Sequence, residues 1–330
     1  MKLRKKTTTQ PRAIDVLISS GPLNMDVERR SKMTISCNDT AEIPKVKNAG
    51  NILKHKGKKV QVMHNGTMVL AGGYYGEWME QIIKQLKGHH EPQEEKAFYH
   101  VLQRLNKKQP VMIELGSFWA YYSLWFKSAF PDGTAVCCEP DPTNLQLGRA
   151  NMALNGFNES KNLLFVQAAA GHEDGKKVLL ELDSERGKTF EAVIRSVDSI
   201  AQEQSFKTVD ILHMDVQGVE LSALEGAKQM INSGKVRFLV VSTHHYVFSG
   251  DPMTHHKCEQ FILEHGGHII TSHNVIQSFS GDGLIVASFD KQDKDFHVAI
   301  SVNTGQALFR PYELDIATMM QAYEKNIHRS

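Results

Sequence analysis

From Pro110 onward the chain alternates short apolar runs with stretches of helical period, and this pattern constrains its fold more than any other feature. The runs span 111–113, 135–138, 163–166, 209–214 and 238–241. A run that is apolar at successive positions needs cover on both faces of a sheet, and intervening segments of ~10–15 residues can supply it as helices. The pattern predicts βαβ units and an α/β fold on a mostly parallel sheet with helices on both faces. Right-handed crossovers carry the ends of such strands to one rim, where ligands of these sheets bind. The rim segments are 114–120, 139–141, 167–169, 215–220 and 243–245.

Of 330 residues, 41% are hydrophobic and 23% charged, which excludes collagenous, coiled-coil and mostly disordered classes. The net charge of +1 hides an asymmetry: residues 1–60 hold 14 Lys and Arg against 5 Asp and Glu, and the rest hold 24 against 32. A body that is net acidic gives no expectation of a nucleic-acid partner, while the basic arm could touch a polyanion or a surface. No apolar run approaches the ~20 residues of a membrane helix. The basic start, Met1 to Lys6, has no apolar segment behind it and is not expected to be a secretory signal. Cys37, Cys137, Cys138 and Cys258 form no CxxC and no disulfide framework, so the expected setting is reduced and cytoplasmic.

Residues 1–58 are basic and weakly patterned, and order is expected to begin near Lys59. Residues 59–108 read as a hairpin and two helices. Asn65-Gly66 between apolar runs predicts a type I′ turn, and Pro92 suits the first turn of a helix with Glu94 and Glu95 at its positive end. Residues 109–290 hold the alternating pattern, with Asp141 before Pro142 as a helix cap and a hairpin around Val178 to Leu180 followed by a connector at Val193-Ile194. One helix is expected to carry Leu221, Leu224 and Ala227, and two late strands near 268–271 and 284–287 can pair with each other. Residues 291–330 form a C-terminal extension, with a helix expected after Pro311.

Three rim segments carry chemistry. Glu114-Leu115-Gly116-Ser117-Phe118-Trp119-Ala120 reads as strand, tight turn and helix start, whose free N–H groups suit an anionic group. It has one glycine, so it matches neither GxGxxG nor a P-loop. Glu139 follows strand two, where a carboxylate can accept from both hydroxyls of a ribose. Together these favour a nucleoside-containing cofactor. In the third segment His213 and Asp215 share one face of a strand, and Gly218 lets the chain leave the sheet tightly.

These residues resemble a known family. EPQEE (91–95), IELGSFWAYYS (113–123), EPDPTNLQLGRANMALNG (139–156), AAAG (168–171) and LHMDVQGVELSALEGA (212–227) look like the FkbM family of S-adenosylmethionine-dependent methyltransferases, over roughly 74–289. Ala120 stands where a second glycine is common, Gln217 where many members have Glu, and His213 where many have Lys. The resemblance implies a Rossmann-like class I methyltransferase fold, a seven-stranded sheet whose last strand is antiparallel. It implies that Glu114, Gly116 and Ser117 lie against the methionine end of the cofactor, with a small Ala120 leaving the helix start open. Glu139 would take the ribose, Gln167, Ala168 and Ala169 would line the adenine, and Asp215 would lie near the methionine amine or the transferred methyl. Ser123, Pro140 and Asn144 complete the expected cofactor set.

Methyl transfer to a hydroxyl needs a base. The candidates are Asp215, His244 and His245. A metal built on His244 and Asp215 is left open, with zinc the better match to histidine. Tyr74, Tyr75 and Trp78 are candidates for a wall of the acceptor pocket. The expected function is O-methylation of a small sugar-like or natural-product acceptor, with no nucleic-acid partner and with homo-oligomerisation left open. A non-catalytic cofactor-binding protein on the same fold, and a nicotinamide oxidoreductase, are the alternatives.

Overall fold

A computed structural model describes residues 27–182 and 185–304. The strands are β1 (Ile52–His55), β2 (Lys58–Val62), β3 (Met68–Leu70), β4 (Val111–Leu115), β5 (Thr134–Cys138), β6 (Leu163–Val166), β7 (Ala169–Ala170), β8 (Lys177–Leu182), β9 (Glu185–Arg195), β10 (Val209–Asp215), β11 (Val236–Thr243), β12 (His268–His273) and β13 (Gly283–Ser288). The helices are α1 (Val27–Ser36), α2 (Glu77–Gln85), α3 (Pro92–Arg104), α4 (Tyr121–Ala129), α5 (Pro142–Leu154), α6 (Val197–Glu203), α7 (Glu220–Glu225), α8 (Lys228–Asn232), α9 (Tyr246–Ser249) and α10 (Thr254–Glu264).

The central sheet has seven strands in the order β12-β13-β11-β10-β4-β5-β6. Strands β4, β5, β6, β10 and β11 are parallel, and β13 is antiparallel to both of its neighbours. The chain therefore has the Rossmann-like class I methyltransferase architecture. The strand order reverses at β4, which pairs with β5 on one side and β10 on the other, and this reversal opens a crevice beyond the strand ends.

Alternate residues of each strand feed two separate cores. Met112, Ile211, Phe238 and Val286 pack with Phe98 and Val101 of α3 and Leu124 of α4. Ile113, Leu212, Leu239 and Ile285 pack with Ile200 of α6, Leu224 of α7 and Ile262 of α10. Each such side chain, fully removed from water, contributes about 1.5–3 kcal/mol before chain entropy is counted. Glu114 and His213 stand on the first face and are register partners, so a polar pair sits beneath the crevice in an otherwise apolar layer.

Four local expectations need correction. Ordered structure begins well before Lys59: α1, a 3-10 turn at Asp39–Glu42 and β1 all precede it. They are held by partners distant in sequence, which local periodicity does not reveal. Thr34 donates to the Phe279 carbonyl at 2.9 Å, and buried Asp39 accepts from the Ser301 N–H at 2.7 Å. The β2–β3 turn is not type I′. Residues 63–67 intervene between paired Val62 and Met68, and Gly66 has positive φ (+88°) while Asn65 does not. Asn65 instead accepts from the Thr67 N–H and hydroxyl. Val193 and Ile194 belong to the long strand β9 rather than to a connector. Leu221, Leu224 and Ala227 do not share one helix, because α7 ends at Glu225 and α8 starts at Lys228. The helix expected after Pro311 lies outside the described residues. No helix among the described residues is long and apolar enough to cross a membrane.

Candidate active site

At the β4–β5–β10 edge a cavity of 350 Å³ opens between the strand ends, α3, the start of α4 and the β8–β9 arm. The turn after β4 shapes one wall. Gly116 has φ +71°, and a Cβ there would stand 1.8 Å from the Asp215 carbonyl oxygen, so only glycine fits. The N–H groups of Gly116 and Ser117 both donate to the Cys138 carbonyl, at 2.8 and 3.0 Å. Phe118 (φ +42°) and Ala120 (φ +59°) are also left-handed, a strained path for residues with a Cβ.

Glu139 ties this turn to the next one. One carboxylate oxygen accepts from the Phe118 N–H at 3.0 Å, and the other accepts from the Asp141 N–H at 2.9 Å. Asp141 caps α5 as expected, accepting from the Thr143 N–H at 2.8 Å. Glu139, Pro140, Asp141 and Asn144 all line the cavity.

Of the residues singled out in the sequence, Glu114, Gly116, Ser117, Glu139, Pro140, Asn144, Ala169 and Asp215 come together around the cavity. Ala120, Ser123, Gln167 and Ala168 are not in its lining. Ala120 does not hold the helix start open: it is fully buried, and its methyl lies 3.1 Å from where a Cβ on Gly148 would stand. Its left-handed φ is the physical reason a glycine suits this position. Ser123 acts from behind, donating its N–H to Glu114 at 3.0 Å. The Gln167 amide donates to the Pro140 carbonyl at 3.4 Å.

Neither His244 nor His245 lines the cavity. His244 is clamped behind Asp215, with Nδ1 2.6 Å from Glu220 and Nε2 3.2 Å from Asp215 and 3.6 Å from Asp282. Burial disfavours its charged form, but these three carboxylates outweigh burial and hold its pKa well above the ordinary value. The charged form of His244 is thereby favoured, and the ring stands behind Asp215, outside the cavity lining. Burial alone takes His245 down to about 4. Asp215 is itself pushed up by burial and drawn down further by His244 and His213, so it stays ionised.

Local sequence patterning does not expose a second layer of groups beneath the cavity. Glu91, Glu94 and Glu95 open α3, and all three are buried. Glu91 accepts from the Tyr122 hydroxyl at 3.0 Å and pairs with His90 at 3.3 Å. Burial disfavours the charged His90, yet Glu91 and Glu95 raise it to about 10. Glu94 holds His213 Nε2 at 2.7 Å and accepts from the Ser242 hydroxyl. Burial lifts Glu114 to about 7, against the pull of His213 and the Ser123 bond. Ser117 and His213 line the cavity, and the Ser117 hydroxyl and His213 Nδ1 are buried without a hydrogen-bond partner among the described residues.

Aromatic rings form the opposite wall. Tyr74 stacks on Trp119 with centroids 4.5 Å apart and planes 8° from parallel, and Phe118 meets Tyr74 edge-on at 5.3 Å. The β8–β9 arm adds Val178, Leu180 and Phe190. Among the described residues no Lys or Arg lines the cavity, whereas Glu91, Glu114, Glu139, Asp141, Glu181 and Asp215 do. Such a lining suits a ligand that carries positive charge and hydroxyl groups.

Among the described residues, one group of three side chains has metal-ligand atoms within 4.8 Å of one another: His64, His89 and Glu95. The two imidazoles are stacked, 4.3 Å between centroids and 16° between planes, so their in-plane lone pairs run side by side instead of converging. The Tyr121 hydroxyl, 3.1 Å from Glu95 and 3.3 Å from His64 Nδ1, completes a hydrogen-bonded cluster.

The Methyltransferase FkbM domain matches residues 91–269. No curated protein matches the chain. Similar solved structures include precorrin-6y C5,15-methyltransferase from Geobacter metallireducens GS-15, at 14% identity, covering 58% of this chain and 88% of that one, with a TM-score of 0.37. The M. capricolum TrmK complex with S-adenosyl-homocysteine is 12% identical and covers 61% and 74%, with a TM-score of 0.35. Cofactor-bound Rv0187 from MTB is 15% identical and covers 59% and 79%, with a TM-score of 0.38. At these scores the structural likenesses carry no weight beside the sheet order and the domain match. With more than half its length matched, the chain belongs to the FkbM family and is an S-adenosylmethionine-dependent methyltransferase.

Proposed function

We propose that this enzyme transfers the methyl group to a hydroxyl of a small, neutral, sugar-like or natural-product acceptor. The observation that carries the reading is the cavity lining: six carboxylates against two imidazoles, His90 and His213, with stacked aromatic faces and, among the described residues, no Lys or Arg. A phosphorylated or carboxylated acceptor would meet like charge there, at a cost of several kcal/mol. A neutral polyol can lay its apolar face on Tyr74 and Trp119 while donating hydroxyl protons to carboxylates.

The same lining fits the cofactor. S-adenosylmethionine supplies a methyl group on a cationic sulfonium. Glu139 would hold the ribose hydroxyls, while Gly116 and Ser117 would face the methionine end, where the Ser117 hydroxyl lacks a partner. Glu114 and Asp215 would neutralise the ammonium and the sulfonium. Ala169 and the β8–β9 arm would flank the adenine. His244 holds Asp215 ionised and oriented from behind. Tyr74 and Tyr75 would meet the acceptor.

The test is methyl transfer from ¹³C-methyl S-adenosylmethionine to a panel of neutral methyl glycosides and their phosphorylated counterparts, read by NMR. The expected product is a methoxy group on neutral glycosides only. Methylation at nitrogen or carbon, a preference for the phosphorylated set, or no product at all would overturn the reading.

A further inference from the structure

We propose that His213, anchored by Glu94, is the base that receives the acceptor's proton, acting through Nδ1. The inference rests on the hydroxyl-acceptor reading above.

Three observations carry it. First, His213 lines the cavity on β10, two residues before Asp215 and on the same face, so it stands beside the group expected to face the sulfonium. Second, its ring is committed on one side only. Nε2 lies 2.7 Å from Glu94, a residue of α3 that is itself buried and accepts a further bond from Ser242 on β11. With Glu94 ionised, Nε2 keeps its hydrogen toward that carboxylate, and Nδ1 is the nitrogen at which the ring gains or loses a proton. Third, Nδ1 is buried without a hydrogen-bond partner among the described residues, a costly state that a ligand would relieve. A carboxylate holding one imidazole nitrogen while the other is left open is the arrangement by which a histidine serves as general base. His244 Nε2 is likewise buried without a hydrogen bond among the described residues, but Asp215 stands 3.2 Å from it and His244 does not line the cavity.

In the step, the acceptor O–H proton passes to Nδ1 and the oxygen forms a bond to the methyl carbon. The carbon–sulfur bond breaks with its electron pair returning to sulfur, which leaves a neutral thioether and an imidazolium.

The groups facing His213 are Glu94 from α3, Glu114 from β4, Asp215 from its own strand, and the Tyr122 ring from α4 at 4.3 Å. Burial lowers the pKa of His213, but the three carboxylates raise it on balance. These carboxylates favour the charged ring in the free enzyme. A cationic sulfonium brought beside it works in the opposite direction and favours an open Nδ1 when the methyl donor is in place.

Histidine-selective NMR titration of the full chain tests this without any acceptor. It is run with S-adenosylhomocysteine, whose sulfur is neutral, and with S-adenosylmethionine. His213 should titrate lower by about one unit or more with the cationic ligand, the scale of a nearby charge. Equal values would overturn the proposal. The second measurement uses the best neutral glycoside of the panel. His213→Gln should bind S-adenosylmethionine no more weakly than the wild type by calorimetry yet lose kcat by about 10²–10⁴-fold. Glu94→Gln, which keeps the hydrogen-bonding shape, should move the rising limb of the kcat/KM pH profile to lower pH. A His213→Gln enzyme with wild-type kcat and an unmoved limb would overturn the assignment. If no glycoside reacts, the hydroxyl-acceptor reading fails by itself, and the titration still decides whether His213 faces the sulfonium.

Discussion

Replacing Glu139 by alanine separates two jobs that its carboxylate performs at once. In the free protein it accepts from the Phe118 and Asp141 N–H groups and so staples the β4 turn to the start of α5. Losing it leaves two backbone donors short of a partner. Because the cavity admits water to them, the cost should lie near the low end of ~1–3 kcal/mol each. For a chain of 330 residues a total of about 2 kcal/mol corresponds to a fall in Tm of roughly 3 °C. The second job is ribose binding, where charge-assisted bonds are worth about 1.5–3 kcal/mol, or ~10–150-fold in Kd. The two are read independently, by thermal unfolding of the free chain and by calorimetric titration with S-adenosylhomocysteine above the noise of any partial unfolding. The expected result is loss in both. A lowered Tm with unchanged cofactor affinity would show that Glu139 is a staple only, and the ribose assignment would fall.

Three other outcomes follow from the same geometry. Glu114 sits near pKa 7 because burial opposes its charge. An ammonium ligand needs it ionised, so cofactor affinity measured by calorimetry should be level above pH 7 and fall below it by up to about tenfold per unit. Affinity that rises on acidification would contradict this role. Gly116→Ala places a Cβ against the Asp215 carbonyl at positive φ. It should cost at least the ~1–3 kcal/mol of a strained residue in denaturant unfolding and weaken cofactor binding as the strand ends part. Asn151 is fully buried; it accepts from the Leu70 N–H at 2.9 Å and donates to the Trp119 carbonyl at 2.9 Å. Asn151→Leu should therefore destabilise by about 2–4 kcal/mol in the same assay, since both backbone groups lose a partner in a dry site.

The strands, their parallel order and the rim were legible because each is written locally. An apolar run such as Val209–Met214 announces a strand buried on two faces, and Asp141 before Pro142 announces a helix start. The acidic rim residues were legible for the same reason, since Glu114, Glu139 and Asp215 each lie at or next to the end of a strand. The layer beneath was not, because its signals are pairwise and long-range. Glu94 in the first turn of α3 is indistinguishable in sequence from a carboxylate placed there for the helix dipole. Only the fold brings it to His213, 119 positions away. His244 and His245 looked equally fit as bases, because adjacent residues on a strand end differ in nothing except which face they meet. The fold then placed one among three carboxylates and the other where burial lowers its pKa. Ala120 misled by its size. A small residue suggests open space, whereas here a left-handed φ and the closeness of α5 at Gly148 leave room for little more than a methyl group.

The most direct check of the whole arrangement is an experimental structure of the chain with S-adenosylhomocysteine. The expected result has the ribose hydroxyls on Glu139, the methionine end against Gly116 and Ser117, the sulfur beside Asp215 and His213, and the Tyr74–Trp119 face left clear for an acceptor. A nucleoside stacked on Tyr74, with the sulfur remote from β10 and Glu139 still bonded only within the protein, would contradict it.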